Sequence, residues 1–273
     1  MHNPVGENPG SALAALRFYL DAGVDEAIDE MPLDRTTAPP PPPMTQRLQA
    51  VAAEPRAPAP GPARPAVAVG GDIALAEAER LARAAGDLDA LKAAIAGFEG
   101  SGLKATASNI VFADGNPESR LMLVGEAPGR EEDLKGLPFV GESGKLLDRM
   151  MAAIGRDRSS FYITNVLPWR PPGNRNPTQE EIALFLPFVR HHIALIRPKV
   201  LLLLGNISAK TLFDTTEGIT RMRGKWREIA IADQVIPAMA TYHPAFLLRQ
   251  PGAKREAWRD LLSLEARLNE LKI

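Results

Sequence analysis

Apolar positions fall into two rhythms along the chain. Between Ser11 and Glu30, Leu13, Leu16, Leu20, Val24 and Ile28 recur at three- and four-residue spacing behind a candidate N-cap at Ser11. That spacing predicts a short amphipathic helix. From Asp72 to Phe98 an Ala/Leu-rich stretch has the same period, interrupted near Gly86, and predicts a helical arm packed on the C-terminal domain. From about Ser108 the rhythm changes to short apolar runs. Leu121–Val124, Phe161–Val166, Val200–Leu204 and Ile236–Tyr242 predict buried strands. Helical stretches lie near Lys145–Ile154, Thr178–Ile196, Ile207–Phe213 and Lys254–Leu271. Strands alternating with helices predict a three-layer α/β/α architecture around a central, four-stranded parallel sheet. Ligands of such sheets bind at the carboxyl ends of the strands. Here those ends run into Gly125–Gly129, Asn165, Gly205-Asn206 and His243-Pro244.

Composition divides the chain further. Residues 32–71 include Pro39–Pro43 and the Ala/Pro stretch Pro55–Pro65, a composition too poor in apolar surface to order itself. The expected organisation is therefore an N-terminal helix segment over 1–31, a Pro/Ala-rich linker over 32–71, and a catalytic domain over 72–273 led by the arm 72–98. The chain contains no cysteine, which excludes disulfides, thiolate metal sites and a cysteine nucleophile. No apolar run is long enough to span a membrane, and the first ten residues lack the order of a secretory signal.

The formal net charge of −1 argues against a nucleic-acid partner until it is resolved along the chain. Before Arg120 there are 9 Lys+Arg against 16 Asp+Glu; from Arg120 onward there are 23 against 17. The C-terminal part is thus locally basic, and screening makes this near field the one a phosphate meets.

Two phosphate-binding patterns fail. Gly141-Glu142-Ser143-Gly144-Lys145 looks like a P-loop, but Phe139 occupies the first glycine position and Leu146 replaces the Ser/Thr. Gly125-Glu126-Ala127-Pro128-Gly129 has the wrong spacing for a dinucleotide fingerprint, and Pro128 removes an amide donor.

A constellation of four segments remains. Gly125-Glu126-Ala127-Pro128-Gly129-Arg130-Glu131-Glu132-Asp133 precedes Pro138-Phe139-Val140-Gly141. The third is Asn165-Val166-Leu167-Pro168-Trp169-Arg170-Pro171-Pro172-Gly173-Asn174-Arg175, and the last is His243-Pro244-Ala245-Phe246-Leu247-Leu248-Arg249. Together, over roughly Phe98 to Leu271, they resemble the uracil-DNA glycosylase superfamily, specifically its family 4. The resemblance implies extrusion of uracil from DNA and hydrolysis of its N-glycosidic bond, the opening step of base excision repair. It implies Phe139 against the uracil face, Asn165 on the O4/N3–H edge, and His243 donating to O2 as that oxygen becomes anionic. Glu126 and Glu132 are the candidate catalytic carboxylates, their division of labour left open. Ala127 supplies a small side chain where the backbone approaches the ligand, and Asn174 is a further substrate contact. Ser143, Lys145, Arg170, Arg175 and Arg249 are candidate DNA-backbone contacts, and Leu247 or Leu248 a candidate wedge, with core packing the competing reading for each leucine.

The departure from that family is equally specific. Its usual four cluster-binding cysteines correspond here to Phe98, Ser101, Trp169 and Phe185. None supplies a thiolate, so the expectation is an enzyme with no cofactor, in which aromatic packing replaces an iron–sulfur staple. A related branch traps DNA covalently through a loop histidine. The loop Arg170–Pro177 has none, and no lysine in the motifs stands as a nucleophile for strand cleavage. The expected partners are uracil-containing DNA and free uracil as product, for a monomer located with the bacterial nucleoid in the cytoplasm and kept off membranes. The N-terminal segment is a candidate dock for a repair or replication protein. Two other readings are a sensor that holds uracil or abasic DNA without turnover, and a glycosylase for another deaminated base. His191 and His192 fall within the predicted helix Thr178–Ile196, away from the motifs, and are expected to face solvent or neighbouring side chains.

Overall fold

The computed structural model describes residues 71–273. The helix expected over Ser11–Glu30, and the expected linker up to residue 70, lie outside the described residues. Gly71 already belongs to a helix.

Six strands form one sheet in the order β1-β3-β2-β4-β6-β5. The four expected from the sequence make its parallel centre: β2 (Leu121–Gly125), β3 (Tyr162–Asn165), β4 (Val200–Leu204) and β6 (Gln234–Thr241). Every residue of β2, β3 and β4 is buried, as continuous apolar runs covered on both faces require. Alternation along these strands sorts their side chains between two cores. Met122, Val124, Tyr162, Leu201 and Leu203 face one side. Leu121, Leu123, Ile163, Leu202 and Leu204 face the other.

Two antiparallel edge strands enlarge the expected four-stranded sheet. β1 (Ala113–Gly115) pairs with β3, and β5 (Trp226–Ile231) forms a hairpin with β6. β1 is three residues of Ala-Asp-Gly, which carry no strand preference and are held only by their partner. β5 carries two charged residues, Arg227 and Glu228, among its six, as suits an edge.

On the first face lie α1 (Gly71–Ala84), α2 (Leu88–Gly97), α5 (Gln179–Ile196) and α6 (Asn206–Phe213). The break expected near Gly86 separates α1 from α2, where Asp87 caps α2 by accepting from the Ala90 amide at 2.8 Å. α5 starts in a capping box between Thr178 and Glu181. On the second face α4 (Glu142–Ala152) and α9 (Lys254–Leu271) supply Leu147, Met151, Leu261, Leu264 and Leu268. Three short helices complete the set: α3 (Arg130–Lys135), α7 (Ile219–Met222) and α8 (Pro244–Arg249).

The positions matched to cluster cysteines are filled by packing. Phe98 meets Phe185 edge-on, ring centroids 5.9 Å apart, and Phe188 at 5.4 Å. Trp169 is buried in the same core, while Ser101 caps the 3-10 turn Gly102–Thr106 through the Leu103 amide. Three aromatic rings and a serine hydroxyl do not fit an iron–sulfur cluster. His192 lies deep in the protein rather than at its surface. Its ring stacks on Phe112, centroids 4.4 Å apart, with Nε2 2.9 Å from the Tyr162 hydroxyl. Burial pushes its pKa down to about 3, so it is a neutral core residue. His191 stays beside the arm, Nε2 at 2.7 Å from the Ala85 carbonyl.

Candidate active site

The carboxyl ends of β2, β3 and β6 open onto a cavity of about 440 Å³. Glu126, Ala127, Phe139, Asn165, Asn174 and His243 line it, joined by Glu132, Ser143, Arg175 and Arg249. The sheet brings the segments together: Gly125 and Asn165 stand opposite each other in the β2–β3 register, and His243 follows β6, which lies on the other side of β2 with β4 between them.

The inner wall depends on Gly125 lacking a side chain. A Cβ there would lie 2.3 Å from Asn165 Oδ1 and 2.5 Å from the Phe139 ring. The ring and the carboxamide therefore both close on this glycine. Asn165 is 6% exposed, and its Oδ1 is buried with no hydrogen-bond partner. An orphaned buried acceptor costs about 1–3 kcal/mol, a cost removed when a ligand brings an N–H.

His243 is the N-cap of α8, and its Nδ1 accepts from the Ala245 amide at 3.1 Å. An accepting Nδ1 places the proton of the neutral ring on Nε2. Burial, aided by the Arg249 charge and opposed by Glu132, brings its pKa down to about 4. The pocket therefore presents a neutral imidazole with one N–H to donate. Its ring stands 5.5 Å from that of Phe139, centroid to centroid. Gly205, at φ +96°, gives it room, since a Cβ there would lie 2.9 Å from His243 Cβ.

The two carboxylates separate by environment. Glu126 makes no side-chain hydrogen bond among the described residues, and burial raises its pKa. Glu132 is fully engaged: Oε1 accepts from the Val140 and Gly141 amides, each at 2.9 Å, and Oε2 from the Gly129 amide at 3.1 Å. It ties the loop after β2 to the loop carrying Phe139.

The candidate DNA contacts also sort. Arg249 is exposed at the rim and forms no ion pair among the described residues. Arg175 is held by Glu181 at 2.5 and 2.8 Å. Arg170 donates to Asn174 Oδ1 at 2.7 Å and so orients that asparagine. Lys145 does not line the cavity; it pairs with Glu142 at 2.5 Å on the exposed side of α4. Leu247 is buried at 1% exposure, whereas Leu248 is 39% exposed. Of the two wedge candidates only Leu248 can reach a neighbouring molecule without unfolding α8. Arg130, within the first motif, also lines the cavity and is a further cation beyond those expected as DNA contacts.

A doubly covered α/β sheet with its polar pocket at the strand ends defines a ligand-binding α/β protein, and comparison with known proteins names its family. The model of the uracil DNA glycosylase superfamily matches residues 112–262, and the chain belongs to that superfamily. The chain is 42% identical over 162 residues to a type-4 uracil-DNA glycosylase of Archaeoglobus fulgidus, covering 58% of this chain and 81% of that one. It is 41% identical over 143 residues to the type-4 uracil-DNA glycosylase of Thermotoga maritima, covering 52% and 73%. The Pyrobaculum aerophilum type-4 enzyme is 39% identical over 157 residues, covering 56% and 80%.

Proposed function

We propose that this chain is a uracil-DNA glycosylase that extrudes uracil from DNA and hydrolyses its N-glycosidic bond, leaving an abasic site. The observation that carries the reading is the buried, unpartnered Oδ1 of Asn165, a residue that lines the same pocket as a neutral His243 and Phe139. Uracil stacks on Phe139 and offers its N3–H to Oδ1. The amide nitrogen donates to O4, where cytosine would bring an amino group and leave both donors unpaired.

Cleavage of the C1′–N1 bond sends its electron pair to the base and leaves positive charge on the sugar. The Nε2–H of His243 stabilises the anion forming at O2, and a neutral donor does so without giving up its proton. Glu126 stabilises the sugar cation and takes the proton of the water whose oxygen forms the new bond at C1′. Glu132 shapes the site by bracing its two loops, and Ala127 keeps the backbone near the ligand. Arg130, Arg249 and Ser143 face the DNA backbone, Asn174 is presented by Arg170, and Leu248 fills the space left by the flipped base. The catalytic unit is 72–273, acting as a monomer without cofactor.

The test is multiple-turnover release of uracil from a labelled single-uracil oligonucleotide by wild type, Asn165→Ala and His243→Ala. Release by wild type and strong loss in both variants supports the reading. Tight binding without release would replace it with a sensor, and release of hypoxanthine or xanthine alone with a glycosylase for another base.

A further inference from the structure

We propose that Arg158, outside every recognised motif, is the positioning residue that holds Phe139 in its base-stacking conformation. The inference rests on the function proposed above and adds a residue to that site. Phe139 sits at φ +54°, in the left-handed region that a bulky residue adopts only when its surroundings impose it. Two groups impose it from opposite sides. On the amide side, Glu132 accepts from Val140 and Gly141. On the carbonyl side, Arg158 Nη2 donates to the Phe139 oxygen at 2.6 Å and Nη1 to the Pro138 oxygen at 3.3 Å.

The guanidinium is itself aimed from two further elements. Asp114 of β1 accepts from Nη1 at 3.0 Å and Asp148 of α4 from Nε at 2.7 Å. Its carbon stands 5.8 Å from the centre of the Phe161 ring. This gives the three-residue edge strand β1 a purpose: it carries a carboxylate that orients the clamp. Gly144 belongs to the same device, because a Cβ there would lie 1.8 Å from the Phe139 oxygen that Arg158 grips. Only a fork of fixed donors reaches two successive carbonyls and two carboxylates at once, so lysine replaces it incompletely. Without the clamp, the Phe139 peptide relaxes to negative φ. Its ring then leaves the wall it forms with Gly125 and Asn165.

The test uses the full chain, with Arg158→Met, Arg158→Lys, Phe139→Ala and the double variant Arg158→Met/Phe139→Ala. Uracil release is measured as kcat and KM, and amide exchange is followed at Val140 and Gly141. Arg158→Met is expected to lower kcat/KM on the order of 10- to 100-fold, the scale of an ångström-sized misplacement. Arg158→Lys should recover part of it. In the Phe139→Ala background the Arg158 change should add no further loss, because both act through one ring. Exchange at Val140 and Gly141 should quicken in Arg158→Met while the β2 amides stay protected. Losses that multiply in the double variant would overturn the proposal, as would unchanged exchange at the two loop amides. A wild type that releases no uracil would instead overturn the function. The exchange result would then decide the clamp alone.

Discussion

At the residue scale, the chemistry of the pocket follows from what each polar group lacks. Asn165 Oδ1 lacks a donor, and His243 Nε2 carries the one proton its ring keeps once Nδ1 is engaged by Ala245. Removing the imidazole should cost on the order of 10²–10³ in kcat, the usual loss for one donor to a developing anion. Steady-state kinetics of His243→Ala would measure it. Gly125→Ala should be as damaging while leaving the fold intact. Its methyl would crowd the far end of the Asn165 side chain at 2.3 Å and the Phe139 ring at 2.5 Å rather than backbone. Comparing kcat/KM with the melting temperature separates the two effects.

The pH profile is a second test at this scale. In the proposed role Glu126 works as the anion, and its pKa is raised by burial, so kcat/KM should climb as pH rises through a value above the ordinary 4.5. His243 is already neutral above about pH 4, so no inflection should appear near 6.5. An inflection near 6.5 that disappears in His243→Ala would contradict a neutral electrophile. Glu126→Gln should flatten the acidic limb.

At the scale of elements, the loop between α3 and α4 is the least self-sufficient part of the site. The run Gly141–Lys145, where that loop enters α4, resembles a P-loop, yet Gly144 in the first turn of α4 serves another end and makes room for the Phe139 carbonyl. Gly144→Ala sets a methyl against backbone, not against a flexible side-chain end. It should destabilise the protein by about 1–3 kcal/mol, lowering Tm by roughly 2–4 °C per kcal/mol in a domain of this size. The aromatic cluster joining α2 to α5 is the other element-scale device. Phe98→Ala and Phe185→Ala should each cost about 3–5 kcal/mol, and Ser101→Ala only about 1 kcal/mol, as for the loss of a cap. Urea unfolding would rank them. Aromatic residues at cluster positions were legible in the sequence; that Phe188, one turn from Phe185, completes their packing was not.

At the scale of the whole molecule, two histidines, the buried His192 and the half-buried His243, tie stability to pH. Both have folded pKa values, about 3 for His192 and about 4 for His243, below the ordinary 6.5. The unfolded chain then binds more protons on acidification. The stability is present above pH 6.5 and is lost as pH falls from there towards about 4 and 3. Thermal melts between pH 7 and 4 should show a falling Tm, shallower in His192→Gln. Metal analysis belongs to this scale too. With aromatic rings packed where family relatives place cysteines, the native protein should contain far less than one iron per chain, and stoichiometric iron would sink that expectation.

The sequence by itself determined the parallel centre of the sheet and the longer helices, because continuous apolar runs and 3.6-residue periods are local patterns. It also determined which residue types could read uracil, because donor and acceptor inventories belong to side chains wherever they sit. Tertiary structure alone decided how those residues divide the work. Glu126 and Glu132 look interchangeable in the first motif; only the folded loops show that Glu132 is spent on three amides. Leu247 and Leu248 are adjacent and identical, and the rotation of α8 buries one and exposes the other. β1 and Arg158 left no trace in the pattern: three polar-to-small residues and one arginine in a turn gain meaning only from partners 10 to 44 residues away. Such contacts depend on which strands lie side by side, and that is settled by how the whole core packs.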